Sequence, residues 1–437
     1  MGSFLYEKYR ECGFRVTTDS RSLTGGEIFF ALRGENFDGN KFALSALEKG
    51  AALAVVNDDA GLGDDPRLYP VPDPFTALRD LAIEHRSNLN IPVIGLTGTN
   101  GKTTTKELTA AVLSAKYKVT ATKGNLNNDI GVPLSVLTIT PDTEIAVIEM
   151  GASHPDDIAK LVPVSQPGYG LITNVGKAHL LGFGSFEGVK AAKGELYKWL
   201  GSHDGVIFLN GDDADLCDMA AAQPCKKIRY GIEHQLVNLV PATPEEPFLA
   251  LKLGDTVIRT QLVGAYNATN VLAAIAVGEY FGVTREAAIK AISAYEPTNK
   301  RSQMVKTERN TLIVDAYNAN PSSMSAALDN FSYVEAPAKL ALLGDMRELG
   351  VDSVKEHAKI VWKLCSEGLD AYLVGEEFRK ALELLGIDPC SGETPVKGCF
   401  ADSDALAAFL KENPVMNRVV LVKGSRGIQM EKTLPEL

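Results

Sequence analysis

Residues Ile91 to Thr105 read IPVIGLTGTNGKTTT. Ile91 to Leu96 is a short apolar run, which predicts a buried strand. The run opens into Gly98-Thr99-Asn100-Gly101-Lys102-Thr103-Thr104. Beyond it, Leu108, Ala111, Val112 and Ala115 fall at helical spacing, so a helix follows. Strand, Gly-rich turn, Lys, Thr and helix is the layout of a phosphate-binding loop. Gly98 and Gly101 let the backbone turn tightly and aim amide groups at phosphate oxygens. The helix N-terminus adds its positive end. Lys102 can reach a terminal phosphate, and the Thr103 hydroxyl can ligate a metal ion. The usual spacing of such loops places a glycine where this chain has Leu96, so the strict pattern fails. A plain Gly-rich helix cap is the competing reading.

Composition narrows the class. The chain has 437 residues, enough for about three domains. A net charge of -11 argues against broad binding to nucleic acid or to an anionic membrane, since both want a basic surface. Six scattered cysteines (Cys12, Cys217, Cys225, Cys365, Cys390, Cys399) form no CxxC pair and read as reduced thiols. MGSFLYEKYRECGF lacks the apolar run of a signal peptide, and no stretch approaches 18 apolar residues. A soluble, cytoplasmic protein without membrane insertion is expected.

The chain reads as α/β throughout. Strands are expected at Gly26–Leu32 and Ala51–Asn57 around a helix at Phe42–Lys49. A helix over Asp73–Asn90 then runs into a polar linker. Pro92–Leu96, Val119–Thr122, Ile145–Met150, Gly170–Thr173 and Val206–Leu209 alternate with helices, predicting a mostly parallel sheet. Short alternating strands follow over Lys226–Val263, then a helix at Asn267–Phe281. A second linker surrounds Pro297–Arg301. A third α/β unit has strands at Leu312–Ala316, Leu340–Leu343, Ala371–Val374 and Val419–Val422.

Several polar residues sit where such sheets bind ligands, just past strand ends. Glu149 ends IAVIEMG and suits a Mg²⁺ ligand. His179 lies in NVGKAHLLGF, after the strand GLIT; a structural histidine is as good a reading. Lys193 sits on a helix over Phe186–Leu200, where a solvated lysine is the simpler reading. Asn267 and Asn270 on the next helix can cap it or read a base edge. Arg301, in the second linker, can reach a phosphate from a neighbouring domain. Asp315-Ala-Tyr-Asn318-Ala-Asn320, Gly344-Asp345-Met346 and Lys423-Gly-Ser425-Arg426 all follow strands of the third unit and point to one binding surface.

Taken in order, GTNGKTT, EMG, NVGKAH, the Asn267–Asn270 motif, Arg301 and DAYNANP resemble the Mur ligases. GNLNNDIGVP (Gly124 to Pro133), DAYNANPSSM, LGDMRELG (Leu343 to Gly350) and LVKGSRGIQME are similar to the dipeptide-adding branch of that family. DSRSLTGGEIFFALRGENFDG (Asp19 to Gly39) resembles its first domain, with Asn40 where a histidine is expected. The resemblance implies three domains. Residues 1–88 would be a small α/β domain holding a UDP-sugar, 89–298 a central parallel-sheet ATPase domain, and 299–437 a Rossmann-like domain. It implies ATP and two Mg²⁺ as cofactors, UDP-MurNAc-tripeptide and D-alanyl-D-alanine as substrates, and a monomer.

Carried over by motif, Gly98, Thr99, Asn100, Gly101, Lys102, Thr103 and Thr104 hold ATP. Asn270 faces adenine, Arg301 the γ-phosphate and Asp315 the ribose. Thr103 and Glu149 bind one Mg²⁺, and His179 binds a second. Lys193 matches a position carbamylated in related ligases, where it becomes a metal-binding anion. Lys102, Lys193, His179 and Arg301 make up the catalytic set. Asn125, Asn127, Asn128, Ser20, Arg21, Asn318, Asn320, Lys423 and Ser425 bind substrate. The linkers near Asn88 and Thr298 would act as hinges for a closure that excludes water. The rivals are a folylpolyglutamate synthase-like ligase, against which the Asp19–Gly39 block speaks, another Mur ligase adding a different amino acid, and a P-loop ATP-binding regulator or interaction protein without ligase activity, against which Lys102, Glu149, His179, Lys193 and Arg301 speak.

Overall fold

A computed structural model describes residues 2–243, 246–297, 301, 303–389 and 391–437. The chain forms three α/β domains, each around its own sheet. In the first, four parallel strands run in the order Val16–Thr17, Ile28–Phe30, Leu53–Asn57, Leu68–Val71. The two middle strands are buried along their whole length, which is why they stand out as unbroken apolar runs. The flanking strands are half exposed and carry no such signal. The opening helix Phe4–Glu11, capped by the Ser3 hydroxyl, buries Leu5 and Tyr9 on one face, and no element was expected there.

The central sheet has six parallel strands in the order Lys226–Tyr230, Val206–Asn210, Tyr169–Ile172, Val93–Thr97, Ile145–Glu149, Val119–Ala121. The strand before the phosphate loop is therefore flanked by two strands reached in opposite directions, a switch point where such sheets open a crevice. Lys226–Tyr230 corrects the expected change of texture at 226: it is the sixth parallel strand, and its partial exposure at the sheet edge gives it polar positions. The antiparallel strands Asn238–Val240, Ala250–Leu253 and Thr256–Arg259 form a separate small sheet. The helix Ala268–Tyr280 is apolar nearly all round because it is buried against the helix Lys102–Ser114 and the sheet.

The third sheet runs Gln303–Lys306, Thr311–Asp315, Val419–Lys423, Lys339–Gly344, Ala371–Val374, Val396–Phe400, parallel except for its first, antiparallel strand.

The first and central domains share one apolar core that includes Leu5, Tyr9, Leu78, Val132, Val136 and Leu161. Tyr9 donates to the Leu137 carbonyl at 2.6 Å, and Arg86 donates to the carbonyls of Ser165 and Gln166 at 3.0 and 3.1 Å. The hinge expected near Asn88 is thus a packed junction, because the helix Pro74–Ser87 leading into it is held on the central domain. The hinge expected near Thr298 lies outside the described residues, as does Cys390. The described cysteines are free thiols, none of them fully exposed. No helix among the described residues is long and apolar enough to cross a membrane.

Candidate active site

The C-terminal ends of the central and third sheets face each other across a cavity of about 820 Å³. That size suits a small-molecule ligand. The phosphate loop forms one wall. Gly98 has φ +149° and a side chain there would run into Thr173 Oγ1. Gly101 is left-handed, φ +78°, and a Cβ would stand 2.7 Å from Asn270 Oδ1. Both positions therefore require glycine, for conformation and for space. The loop is braced from the next strand. Thr99 N–H donates to the Asn174 carbonyl at 3.0 Å, and Asn100 N–H to Asn174 Oδ1 at 3.0 Å. Asn174 is a site residue that the sequence reading passed over; its place after the strand Tyr169–Ile172 was the available signal.

Lys102 Nζ donates to the carbonyls of Gly98 at 2.8 Å and Thr99 at 3.2 Å, so the cation is held over the loop. Burial pushes its pKa down, Glu149 opposes that shift and Arg301 adds to it. The Thr103 hydroxyl is 3.0 Å from Glu149 Oε2. Glu149 is 1% exposed, and Asn127 Nδ2 donates to its other oxygen at 2.7 Å. Asn127 therefore orients a carboxylate, beside its expected place on the substrate side. Asn125 and Asn128 line the cavity, and Asn128 Oδ1 also accepts from Gly131 N–H at 2.8 Å. Thr104 is buried on the cavity wall.

His179 has left-handed backbone, φ +51°, and its ring Nδ1 makes a short hydrogen bond to Glu348 of the third domain. Burial lowers its pKa while Glu348 pulls it up. Lys193 corrects its simpler reading as a solvated lysine: it is 2% exposed on the helix Phe186–Ser202, with Nζ 5.6 Å from the centre of the Phe183 ring. No carboxylate lies within ion-pair distance of it among the described residues. Burial, reinforced by Lys102, pushes its pKa down to about 7. An amine that gives up its proton near neutral pH can be carbamylated.

Asn267 and Asn270 do not cap their helix with their side chains. They form a buried chain instead: Thr105 Oγ1 donates to Asn270 Oδ1 at 3.0 Å, Asn270 Nδ2 to Asn267 Oδ1 at 2.9 Å, and Asn267 Nδ2 to the Val263 carbonyl at 2.8 Å. Both asparagines still border the cavity. Arg301 stacks on Tyr317, 3.8 Å from the ring centre, and its buried Nε has no hydrogen-bond partner among the described residues.

Asp315 and Lys423, expected on ribose and substrate, are paired with each other in a short ion pair on the cavity wall. Asn320 caps the helix Pro321–Tyr333 and donates from Nδ2 to Asn100 Oδ1 at 2.7 Å, tying the third domain to the phosphate loop. Asn318 lines the cavity. Ser425 is buried and spends its hydroxyl on the Ala319 carbonyl and Arg347 N–H, away from the cavity lining. Ser20 and Arg21 stand apart on the first domain, where Arg21 is paired with Asp19. Asn40 is buried between Asp38 and Asn57, donating to their side chains at 2.7 and 2.9 Å. Its departure from the expected histidine thus serves the packing of the first domain.

As donors for a divalent cation, Thr103 and Glu149 fit: a hydroxyl beside a buried, oriented carboxylate is a hard oxygen pair. Among the described residues no group of three or more His, Cys, Asp and Glu could hold a metal alone.

Fold and loop together define a three-domain α/β protein of the phosphate-loop kind. The chain belongs to the Mur ligase family: the family's catalytic domain matches residues 15–93, its middle domain 96–278 and its glutamate ligase domain 300–426. It is 36% identical to the UDP-N-acetylmuramoyl-tripeptide–D-alanyl-D-alanine ligase of Bacillus subtilis (strain 168), covering 97% of this chain and 92% of that one. Its fold is similar to MurF from Acinetobacter baumannii, with a TM-score of 0.83, 30% identity and coverage of 97% and 93%. It is also similar to MurF from Thermotoga maritima in complex with ADP, with a TM-score of 0.81, 27% identity and coverage of 97% and 96%.

Proposed function

We propose that this protein joins D-alanyl-D-alanine to the terminal carboxylate of UDP-MurNAc-tripeptide, converting ATP to ADP and phosphate and making UDP-MurNAc-pentapeptide for peptidoglycan. The observation that carries this reading is the end-to-end similarity to ligases of that name, 36% identity over 97% of the chain. The three domains are assigned to 1–88, 89–298 and 299–437, holding the UDP-sugar, ATP and the dipeptide side respectively. Ser20, Arg21, Asn125, Asn127, Asn128, Asn318, Asn320, Lys423 and Ser425 are assigned to the substrates.

A carboxylate is a poor acyl donor because its leaving group would be oxide. One carboxylate oxygen attacks the γ-phosphorus of ATP, the bond to ADP breaks, and an acyl phosphate results. The dipeptide's neutral amine then adds to the acyl carbon. The tetrahedral oxyanion collapses, expelling phosphate with the original carboxylate oxygen, and the nitrogen gives up its extra proton. Lys102 and the amides of Gly98 to Thr104 cradle the phosphates and offset the charge that builds on the γ-phosphoryl group. Arg301, held flat by Tyr317, adds a second cation from the domain boundary. Asn270 borders the adenine side and Asp315 the ribose.

Thr103 and Glu149 would hold one Mg²⁺, and His179 with a carbamylated Lys193 a second. Bound there, such ions neutralise phosphate charge that would otherwise repel the carboxylate. The third domain, seated against the phosphate loop through Asn320 and Asn100, excludes water that would hydrolyse the acyl phosphate. A monomeric, cytoplasmic enzyme acting on small molecules completes the reading.

The test is substrate dependence. Phosphate should be released from ATP only when UDP-MurNAc-tripeptide and D-alanyl-D-alanine are both present. Equal release with L-alanyl-L-alanine, or none with any muropeptide, overturns the assignment.

A further inference from the structure

His179 and Glu348 belong to different domains, yet they are joined twice. The imidazole Nδ1 meets a Glu348 carboxylate oxygen in a short hydrogen bond. Leu181 N–H donates to the Glu348 main-chain carbonyl at 3.3 Å. Each of the two residues is held in the left-handed region, His179 at φ +51° and Glu348 at φ +66°. Glutamate is not a residue type that favours that conformation, so the surrounding loop imposes it on Glu348. The His179 ring borders the cavity that Glu149 and Lys102 line, whereas Glu348 is outside the cavity lining with its side chain 60% exposed. The ring thus stands between the cavity and the carboxylate.

A histidine that ligates a metal through one ring nitrogen commonly gives its other N–H to a carboxylate, which fixes both tautomer and ring orientation. Here that carboxylate comes from the domain across the cleft. We propose that Glu348 is a positioning residue for His179: by accepting the Nδ1 proton it holds Nε2 free for a divalent cation, so the second metal position is complete only when the third domain is seated on the central one. This rests on the reading of His179 as a metal ligand. It gives LGDMRELG a task on the metal side of the reaction, and it couples domain closure to metal affinity.

The experiment counts Mn²⁺ bound to the full chain by electron paramagnetic resonance, in the presence of a non-hydrolysable ATP analogue and UDP-MurNAc-tripeptide. The variants are Glu348→Met and Lys177→Met. Glu348→Met keeps the main-chain clasp and much of the side chain's length but offers no oxygen to accept the Nδ1 proton. Lys177→Met removes a neighbouring inter-domain ion pair, Lys177 to Glu356 at 3.6 Å, without touching His179. The expected result is two ions on the parent protein, with affinity for the second falling about 10-fold or more in Glu348→Met and unchanged in Lys177→Met. Thermal midpoints close to the parent's would accompany it. Two ions of unchanged affinity in Glu348→Met overturn the positioning role alone. An equal loss in both variants also overturns it, because Glu348 would then only hold the domains together. A single ion on the parent protein overturns the two-ion reading and this proposal with it.

Discussion

The Thr103 hydroxyl of the phosphate loop and the Glu149 carboxylate at the end of the adjacent strand lie 3.0 Å apart, with Asn127 fixing the carboxylate from its other side. The contact joins the residue that follows the loop lysine to the most deeply buried acid of the cavity wall. Glu149→Gln keeps the shape and one acceptor but removes the charge. It should lower kcat about 100-fold and raise the Mg²⁺ concentration needed for half-maximal rate. Nucleotide binding without Mg²⁺, followed by calorimetry, should stay near the parent's. An unchanged Mg²⁺ dependence would contradict the metal role.

Gly98→Ala asks a left-side backbone angle of a residue with a Cβ and drives that atom into Thr173. The variant should lose about 1–3 kcal/mol of stability in urea denaturation and most of its ATP affinity. A stable variant with normal affinity would mean that the loop can rearrange at no cost.

Lys193 is buried with its pKa lowered from 10.5 to about 7. Its proton is therefore bound more weakly in the folded chain than in the unfolded one. Stability should rise with pH between about 7 and 10 as the unfolded state holds the extra proton, and level off above the unfolded pKa. Lys193→Met should remove that part of the slope, which paired urea titrations at pH 7 and pH 9.5 would read. For catalysis, Lys193→Ala should lose most activity and regain part of it with a short-chain carboxylate in solution. Full activity without rescue removes the carbamate role.

Lys423 is the more buried partner of its ion pair, with 2% of its side chain exposed against 16% for Asp315. Removing the acid strands a buried cation, whereas removing the lysine leaves a carboxylate nearer to water. Asp315→Ala should therefore destabilise by about 3–5 kcal/mol and Lys423→Met by less, in the same denaturation assay. The opposite order would show that the pair is held for another reason.

The parts of the fold legible in the sequence were those buried on both faces. Ile145–Glu149 and Ala371–Val374 are unbroken or nearly unbroken apolar runs, and both stand within a residue of where they were expected. Edge strands such as Gln303–Lys306 and Lys226–Tyr230 were obscured because half their side chains meet solvent. At the site, residues within one motif were readable: the phosphate loop, Glu149 and His179 all follow a strand. Relationships between motifs were not. Local pattern made Lys193 a surface lysine because the residues that bury it, Phe183 among them, come from outside its helix. The pairing of Asp315 with Lys423 spans 108 residues, and that of His179 with Glu348 spans 169, so no local spacing encodes either.

The central claim is activation of a muropeptide carboxylate by the γ-phosphoryl group of ATP. The most direct measurement supplies the protein with ATP, Mg²⁺, D-alanyl-D-alanine and UDP-MurNAc-tripeptide carrying ¹⁸O in its terminal carboxylate, and weighs the phosphate released. One ¹⁸O atom in each phosphate, released only in the presence of the tripeptide and matched by pentapeptide formed, is the predicted result. Unlabelled phosphate would contradict an acyl phosphate, and phosphate release indifferent to the tripeptide would contradict the ligase itself.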